Sequence, residues 1–177
     1  MDLILAKPKA RALSNNSGAA SGWRKINTEN EGDHVMADMH MQYAIAADRK
    51  TVYDALTTRA GLASWWTTRV EVPETVGGVV KASFPDMPMT WDLEIVELTE
   101  PTRVVWRAIA GPPYWAGTTI VFELSAGEDG GSVLRFDHLG FSEVNDMFRI
   151  VTVGWAQVLG NLKVYAETGT PTPFFDF

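Results

Sequence analysis

The side chains that could do acid–base chemistry near neutral pH are three histidines, His34, His40 and His138, in a chain of 177 residues. His138 ends the run Leu134-Arg-Phe-Asp-His138. Strand alternation places Leu134, Phe136 and His138 on one face and Val133, Arg135 and Asp137 on the other. An imidazole on that apolar face has two readings. It could give and take a proton in a cyclase- or dehydratase-like reaction, or stay neutral and inert in the core, hydrogen-bonded to backbone. Asp137 points away and cannot orient it. His34 and His40 lie in or beside an N-terminal leader, so a metal site would have one imidazole from the domain and would need carboxylates for the rest. No metal is expected. There is no cysteine, which removes thiolate ligands, disulfides and cysteine nucleophiles. No Gly-x-Ser-x-Gly elbow or phosphate loop occurs, and Gly77-Gly78 and Gly130-Gly131 each lead into a strand rather than a helix. No cofactor is therefore expected. Arg103, Arg107 and Arg135 take outward strand positions, where Glu123, Asp92 and Glu94 can pair with them as a solvated face.

Aromatic residues offer a different chemistry. Phe84, Trp91, Trp106, Phe122, Phe136 and Trp155 all fall on predicted inner positions. Several indoles facing one helix are hard to pack tightly, and each buried N–H needs a partner. A cavity lined by these rings and Leu159, with Tyr114 and His138 as polar handles, has the form of a small-ligand site. Tyr114-Trp115, just after the Gly111-Pro-Pro113 breaker, would form part of its lid. The leading expectation is a binding module for a hydrophobic or aromatic small molecule, with a His138-dependent enzyme as the alternative.

The elements that must position these residues follow from periodicity. Met41 to Ala46 reads as a first strand. Asp48 suits a helix N-cap before Thr51 to Leu56, in which Val52, Ala55 and Leu56 share a face. A second short helix covers about Thr58 to Trp65. Strands are predicted at Arg69–Glu71, Val79–Phe84, Thr90–Leu98, Arg103–Ile109, Thr118–Leu124 and Ser132–His138, the longer ones alternating apolar and polar as half-buried antiparallel strands do. Gly127 to Gly131 is a hairpin turn centred on Asp129-Gly130. The last element is a helix starting at Ser142 or nearer Met147. Phe148, Val151, Trp155, Val158 or Leu159, Leu162 and Tyr165 recur on it at helical steps, and Gly169, Pro171 and Pro173 stop it. Ile150, Val153 and Val164 lie off that stripe, which predicts a helix gripped by a curved sheet on a broad apolar surface. The fold class is α+β.

The charge bears on partners rather than on fold. The net charge is −7, and all of the excess lies in residues 39–177, where 17 acids face 10 bases. Such a domain repels nucleic acid and anionic lipid. No segment reaches the 18 or more apolar residues of a membrane span, and the first six residues are too short for a secretory signal core. A cytoplasmic protein is expected. Residues 1–38, with the small polar run Ser14 to Gly22, read as a disordered leader, residues 39–169 as the domain and residues 170–177 as a tail. The aromatic end Pro173-Phe-Phe-Asp-Phe177 would dock on the domain or on a second copy, as in a homodimer, or fray.

The motifs in this order resemble a known family. Val52-Tyr-Asp-Ala-Leu-Thr57 with Trp65-Trp66, Thr90-Trp91 through Pro101 and Val104-Val105, Thr119-Ile-Val-Phe-Glu-Leu124 with Leu134 to His138, and Gly140-Phe141 with Gly154-Trp155 carry the resemblance. Together they are similar to the helix-grip SRPBCC superfamily, in the branch of activators of heat-shock protein 90 ATPase homologues, over about residues 41–169. The resemblance implies a seven-stranded curved antiparallel sheet around a long C-terminal helix, two short helices after the first strand, and a deep cavity that often takes hydrophobic small molecules. It also implies chaperone contact as a further alternative. Residues 1–40 are too short to be the separate N-terminal domain that the chaperone activators carry.

Overall fold

The computed structural model describes residues 36–177. The expected leader lies outside the described residues but for its last three. The first strand, β1, spans Ala37–Ile45, beginning four residues before the predicted start. Two short helices follow, α1 (Arg49–Thr57) and α2 (Arg59–Trp65). Asp48 caps α1 by accepting from the Thr51 N–H at 2.9 Å. Thr58 ends one helix and starts the next: its hydroxyl donates to Asp54 O at 2.8 Å and accepts from Gly61 N–H at 3.0 Å. The helices pack so closely that a Cβ on Gly61 would fall 2.6 Å from the Ala55 backbone.

Six more strands complete the sheet: β2 (Val70–Glu71), β3 (Val79–Ser83), β4 (Thr90–Thr99), β5 (Arg103–Ala110), β6 (Thr119–Ala126) and β7 (Ser132–Phe141). Their order is β1-β7-β6-β5-β4-β3-β2, antiparallel throughout. The β6–β7 turn places Asp129 and Gly130 at φ of 49° and 81°, the left-handed region that the Asp-Gly pair suits. Alternation holds on the inner face, where Trp91, Leu93, Ile95, Val104, Trp106, Ala108, Ile120, Phe122, Leu134, Phe136 and His138 are buried. Outside, Arg103 pairs with Glu97 and Glu123, and Arg107 with Glu94. Asp92 faces Lys81 at 4.0 Å instead of an arginine. Arg135 donates to Gln42 Oε1 at 3.4 Å.

The long helix α3 spans Asp146–Thr168 and is capped by Asn145, which accepts from Phe148 N–H; Gly169, at φ 70°, terminates it. Its 23 residues run about 34 Å at 1.5 Å per residue. Trp155, Val158, Leu159, Leu162 and Ala166 are buried. The expectation of an all-round apolar grip is corrected on the outer side, where Ile150, Val153 and Val164 are exposed. The sheet covers one side of the helix, so the second apolar stripe meets solvent.

The tail docks on its own domain. Thr172, Phe174 and Phe175 N–H groups donate to Ser64, Trp65 and Trp66 carbonyls, and Thr68 N–H donates to Phe175 O. Phe175 forms a parallel bridge with Thr67 and packs edge-on against Phe84 at 4.8 Å. Arg69 stacks over the Phe177 ring at 4.0 Å.

Candidate functional site

Strand parity and helix period bring the predicted aromatic residues into one cluster between the sheet and α3. Phe136 lies 4.6 Å from Trp155 and 5.4 Å from Phe122, which meets Trp106 at 4.9 Å. Phe84 and Trp91 form an edge-on pair at 4.5 Å. Leu159 is fully buried on α3. Tyr114 is half-buried beside the cluster, and burial raises its hydroxyl pKa. The rings expected to line a cavity therefore touch one another.

Two indoles absent from the predicted lining join the groups. Trp66, where α2 ends, stacks on Trp106 at 6.2 Å and contacts Trp155 at 5.7 Å and Phe84 at 5.5 Å. Trp115 comes from the β5–β6 loop yet is only 7% exposed. It stacks on Trp155 at 5.7 Å and 22°, and meets Trp91 edge-on at 6.2 Å and the His138 ring at 4.7 Å. Its loop starts at Gly111 (φ 137°) and ends at Gly117 (φ 85°), conformations that glycine adopts without strain. Neither indole belongs to an alternating strand or the periodic stripe of α3. The Trp65-Trp66 pair and the Pro-Pro-Tyr-Trp115 run were the available signals.

His138 is fully buried. Trp155 Nε1–H donates to its Nδ1 at 2.9 Å. An indole N–H can only donate, so Nδ1 is unprotonated and the ring proton lies on Nε2. That proton points to Thr118 Oγ1 at 2.8 Å, and the Thr118 hydroxyl in turn donates to Trp115 O at 2.7 Å. The chain Trp155–His138–Thr118–Trp115 uses both imidazole nitrogens and fixes one neutral tautomer. Burial pushes the imidazole pKa down to about 3. Acid–base work by His138 would require one of these bonds to open and a substrate to take its place. The network's present chemistry is positional: it ties the Trp115 loop to α3 through a side chain of β7.

A pair that sequence reasoning missed lies on the opposite face. His40 falls in β1, opposite Asp137 of β7, and its Nδ1 is 2.6 Å from Asp137 Oδ1. The strand begins earlier than periodicity suggested, which moves His40 from the leader's edge into the sheet. A shallow depression on the outer sheet face is lined by Thr102, Arg103, Glu123, Ser125 and Arg135. Its arginines are already matched by acid and amide groups, as a solvated face requires.

A seven-stranded antiparallel sheet holding a long C-terminal helix over an aromatic interior defines a helix-grip protein of the SRPBCC type. The family model described as "Activator of Hsp90 ATPase homolog 1-like protein" matches residues 46–167, and the chain belongs to that family. Among solved structures it is similar to an Aha1 dimer from Colwellia psychrerythraea, at 31% identity and a TM-score of 0.68, over 76% of this chain and 98% of that one. DynU16, a protein of the dynemicin biosynthetic locus, is 20% identical with a TM-score of 0.66, over 79% of this chain and 51% of that one. CalU16 from Micromonospora echinospora is 21% identical with a TM-score of 0.59, over 78% of each chain. The last two likenesses establish the fold alone. No curated protein matches the sequence. Among the described residues no helix is long and apolar enough to cross a membrane.

Proposed function

We propose that the protein binds a hydrophobic, aromatic small molecule between α3 and the sheet, in the space Trp115 now fills. The observation that carries this reading is Trp115 itself. A loop residue supplies a flat ring that stacks on Trp155 deep in the domain, among Trp91, His138 and Phe136 on β4 and β7. A planar apolar ligand replaces that stack ring for ring when the loop between Gly111 and Gly117 swings out. Thr118 and His138 then present a hydroxyl and an imidazole N–H for orienting a polar substituent. The fold's common use as a container for hydrophobic ligands agrees with this.

Trp115→Ala tests the reading, because it removes the resident ring and leaves the surrounding indoles in place. The variant should bind 8-anilinonaphthalene-1-sulfonate saturably, at one site and more tightly than the wild type, with quenching of Trp155 fluorescence. A variant that keeps its near-ultraviolet circular dichroism but binds no more probe than the wild type would rule out a site there. Native mass spectrometry and a thermal-shift screen with lipids and aromatic polyketides then identify the ligand class.

Likeness to the Colwellia protein supports two further proposals. The first is self-association, since that relative is a dimer. The second is regulation of a heat-shock protein 90 ATPase, which fails if adding the protein leaves the chaperone's ATP hydrolysis rate unchanged.

A further inference from the structure

The outer side of α3 has no role in the monomer. Its centre line, directly opposite Trp155, runs through Ile150, Val153, Gln157, Gly160 and Val164 at alternating three- and four-residue steps. Ile150 and Val153 are 62% and 59% exposed and Val164 43%. No charged residue occurs between Arg149 and Lys163. Two glycines lie inside the helix, and a Cβ at Gly154 or Gly160 would meet nothing within 4 Å. A glycine inside a helix costs about 1 kcal/mol relative to alanine, and nothing within the domain requires either one.

We infer that this face of α3 is where two copies of the chain meet, antiparallel, about a twofold axis near Gln157. The inference rests on the self-association proposed above and assigns it a surface. In that arrangement Val153 of one copy lands on Gly160 of the other, and Ile150 on Val164, each contact occurring twice as twofold symmetry demands. The matched stretch covers about four turns, or roughly 21 Å. Val153 thus meets a glycine that the monomer does not need, and Ile150 meets another exposed branched side chain. Charge favours a second copy over a charged partner. The domain is acidic, yet each end of this stretch is neutral: Asp146 and Arg149 are 3.6 Å apart at one end, and Lys163 and Glu167 are 2.6 Å apart at the other. Two such faces meet without the repulsion that the rest of an acid-rich surface would bring. They offer nothing to recognise a polyanion or a polycation.

Sedimentation velocity of the full chain, from low micromolar to near-millimolar concentration, tests this beside Val153→Glu and Gly160→Leu. The wild type should show a dimer that dissociates on dilution. Val153→Glu buries a charge at the contact, and Gly160→Leu fills the hole that receives Val153. Each should weaken dimerisation at least about tenfold while leaving probe binding unchanged and the monomer no less stable, Gly160→Leu raising its melting temperature as the loss of a helix glycine does. A wild type that is monomeric throughout overturns self-association and this surface together. A dimer that survives both substitutions overturns only the surface. If Val153→Glu lowers the melting temperature, the Gly160→Leu result decides, and an intact dimer there overturns the assignment.

Discussion

Lowering the pH should destabilise this domain through His138 before most carboxylates begin to titrate. In the folded chain burial holds the imidazole pKa at about 3, against an ordinary 6.5. The unfolded chain therefore takes up a proton as pH falls through about 6.5, while the folded chain does not. Stability is unaffected by this group above that pH and falls below it, by about 1.4 kcal/mol per pH unit, until the folded pKa is reached. Between pH 7 and pH 4.5 the loss is roughly 2–3 kcal/mol, a large share of a typical domain's stability. Urea unfolding of wild type and His138→Gln at several pH values in this window is the assay. Asp48, Glu97 and Glu167, whose pKa values are lowered by hydrogen bonds, remain in both proteins, and so does His40. Their contributions cancel in the difference between the two slopes, which should equal one proton. Parallel slopes would refute the reasoning, as would a His138 ring resonance that titrates near 6.5 in the folded state. Either result would mean that the imidazole is hydrated or that the Trp155–His138–Thr118 chain is not made.

Helix glycines should respond to alanine with opposite signs. Gly61→Ala should cost about 1–3 kcal/mol in thermal or urea unfolding, because its Cβ would meet the Ala55 backbone at 2.6 Å. Gly154→Ala, with nothing within 4 Å, should stabilise the monomer by up to about 1 kcal/mol. Thr58→Ala removes the hydroxyl that serves both α1 and α2 and should cost about 1 kcal/mol by the same assay. Phe175→Ala should cost about 2 kcal/mol, since a half-buried ring against Phe84 is lost. It should also increase amide hydrogen exchange at Thr68 and Phe174, whose N–H bonds hold the tail in place.

The architecture was legible wherever a short-range rule decided it. Asp48 caps α1 because a carboxylate three residues before a free N–H is a local geometry. Trp91, Trp106, Phe122 and Phe136 were placed on the inner face because each lies on a strand of period two. Bulges did not disturb the parity of these four, although β4 shifts register between Ile95 and Glu97. Legibility failed where a partner distant in the chain decides. The first strand extends to Ala37 because β7 runs on to Phe141 and offers it a mate. Alternation in the polar stretch around Asp38 and His40 does not reveal that. The tail held because Trp65 and Trp66 present free carbonyls to Phe174 and Phe175, a condition invisible in either segment alone.

The same distinction separates the two readings of His138. Parity could say that the imidazole faces inward, but it could not say what stands opposite each nitrogen. The two groups that do are 17 and 20 residues away, on α3 and beside β6. Once Trp155 is known to donate to Nδ1, the proton on Nε2 must go to Thr118, and the Thr118 hydroxyl proton to Trp115 O. That ordering makes the loop's position and the imidazole's tautomer one property. A ligand that displaces Trp115 therefore disturbs the second neighbour of His138. Acid–base chemistry by His138 would have to begin with Trp155 or Thr118 giving up its bond to the ring, since both imidazole nitrogens are occupied and loop movement alone releases only the Thr118 hydroxyl proton.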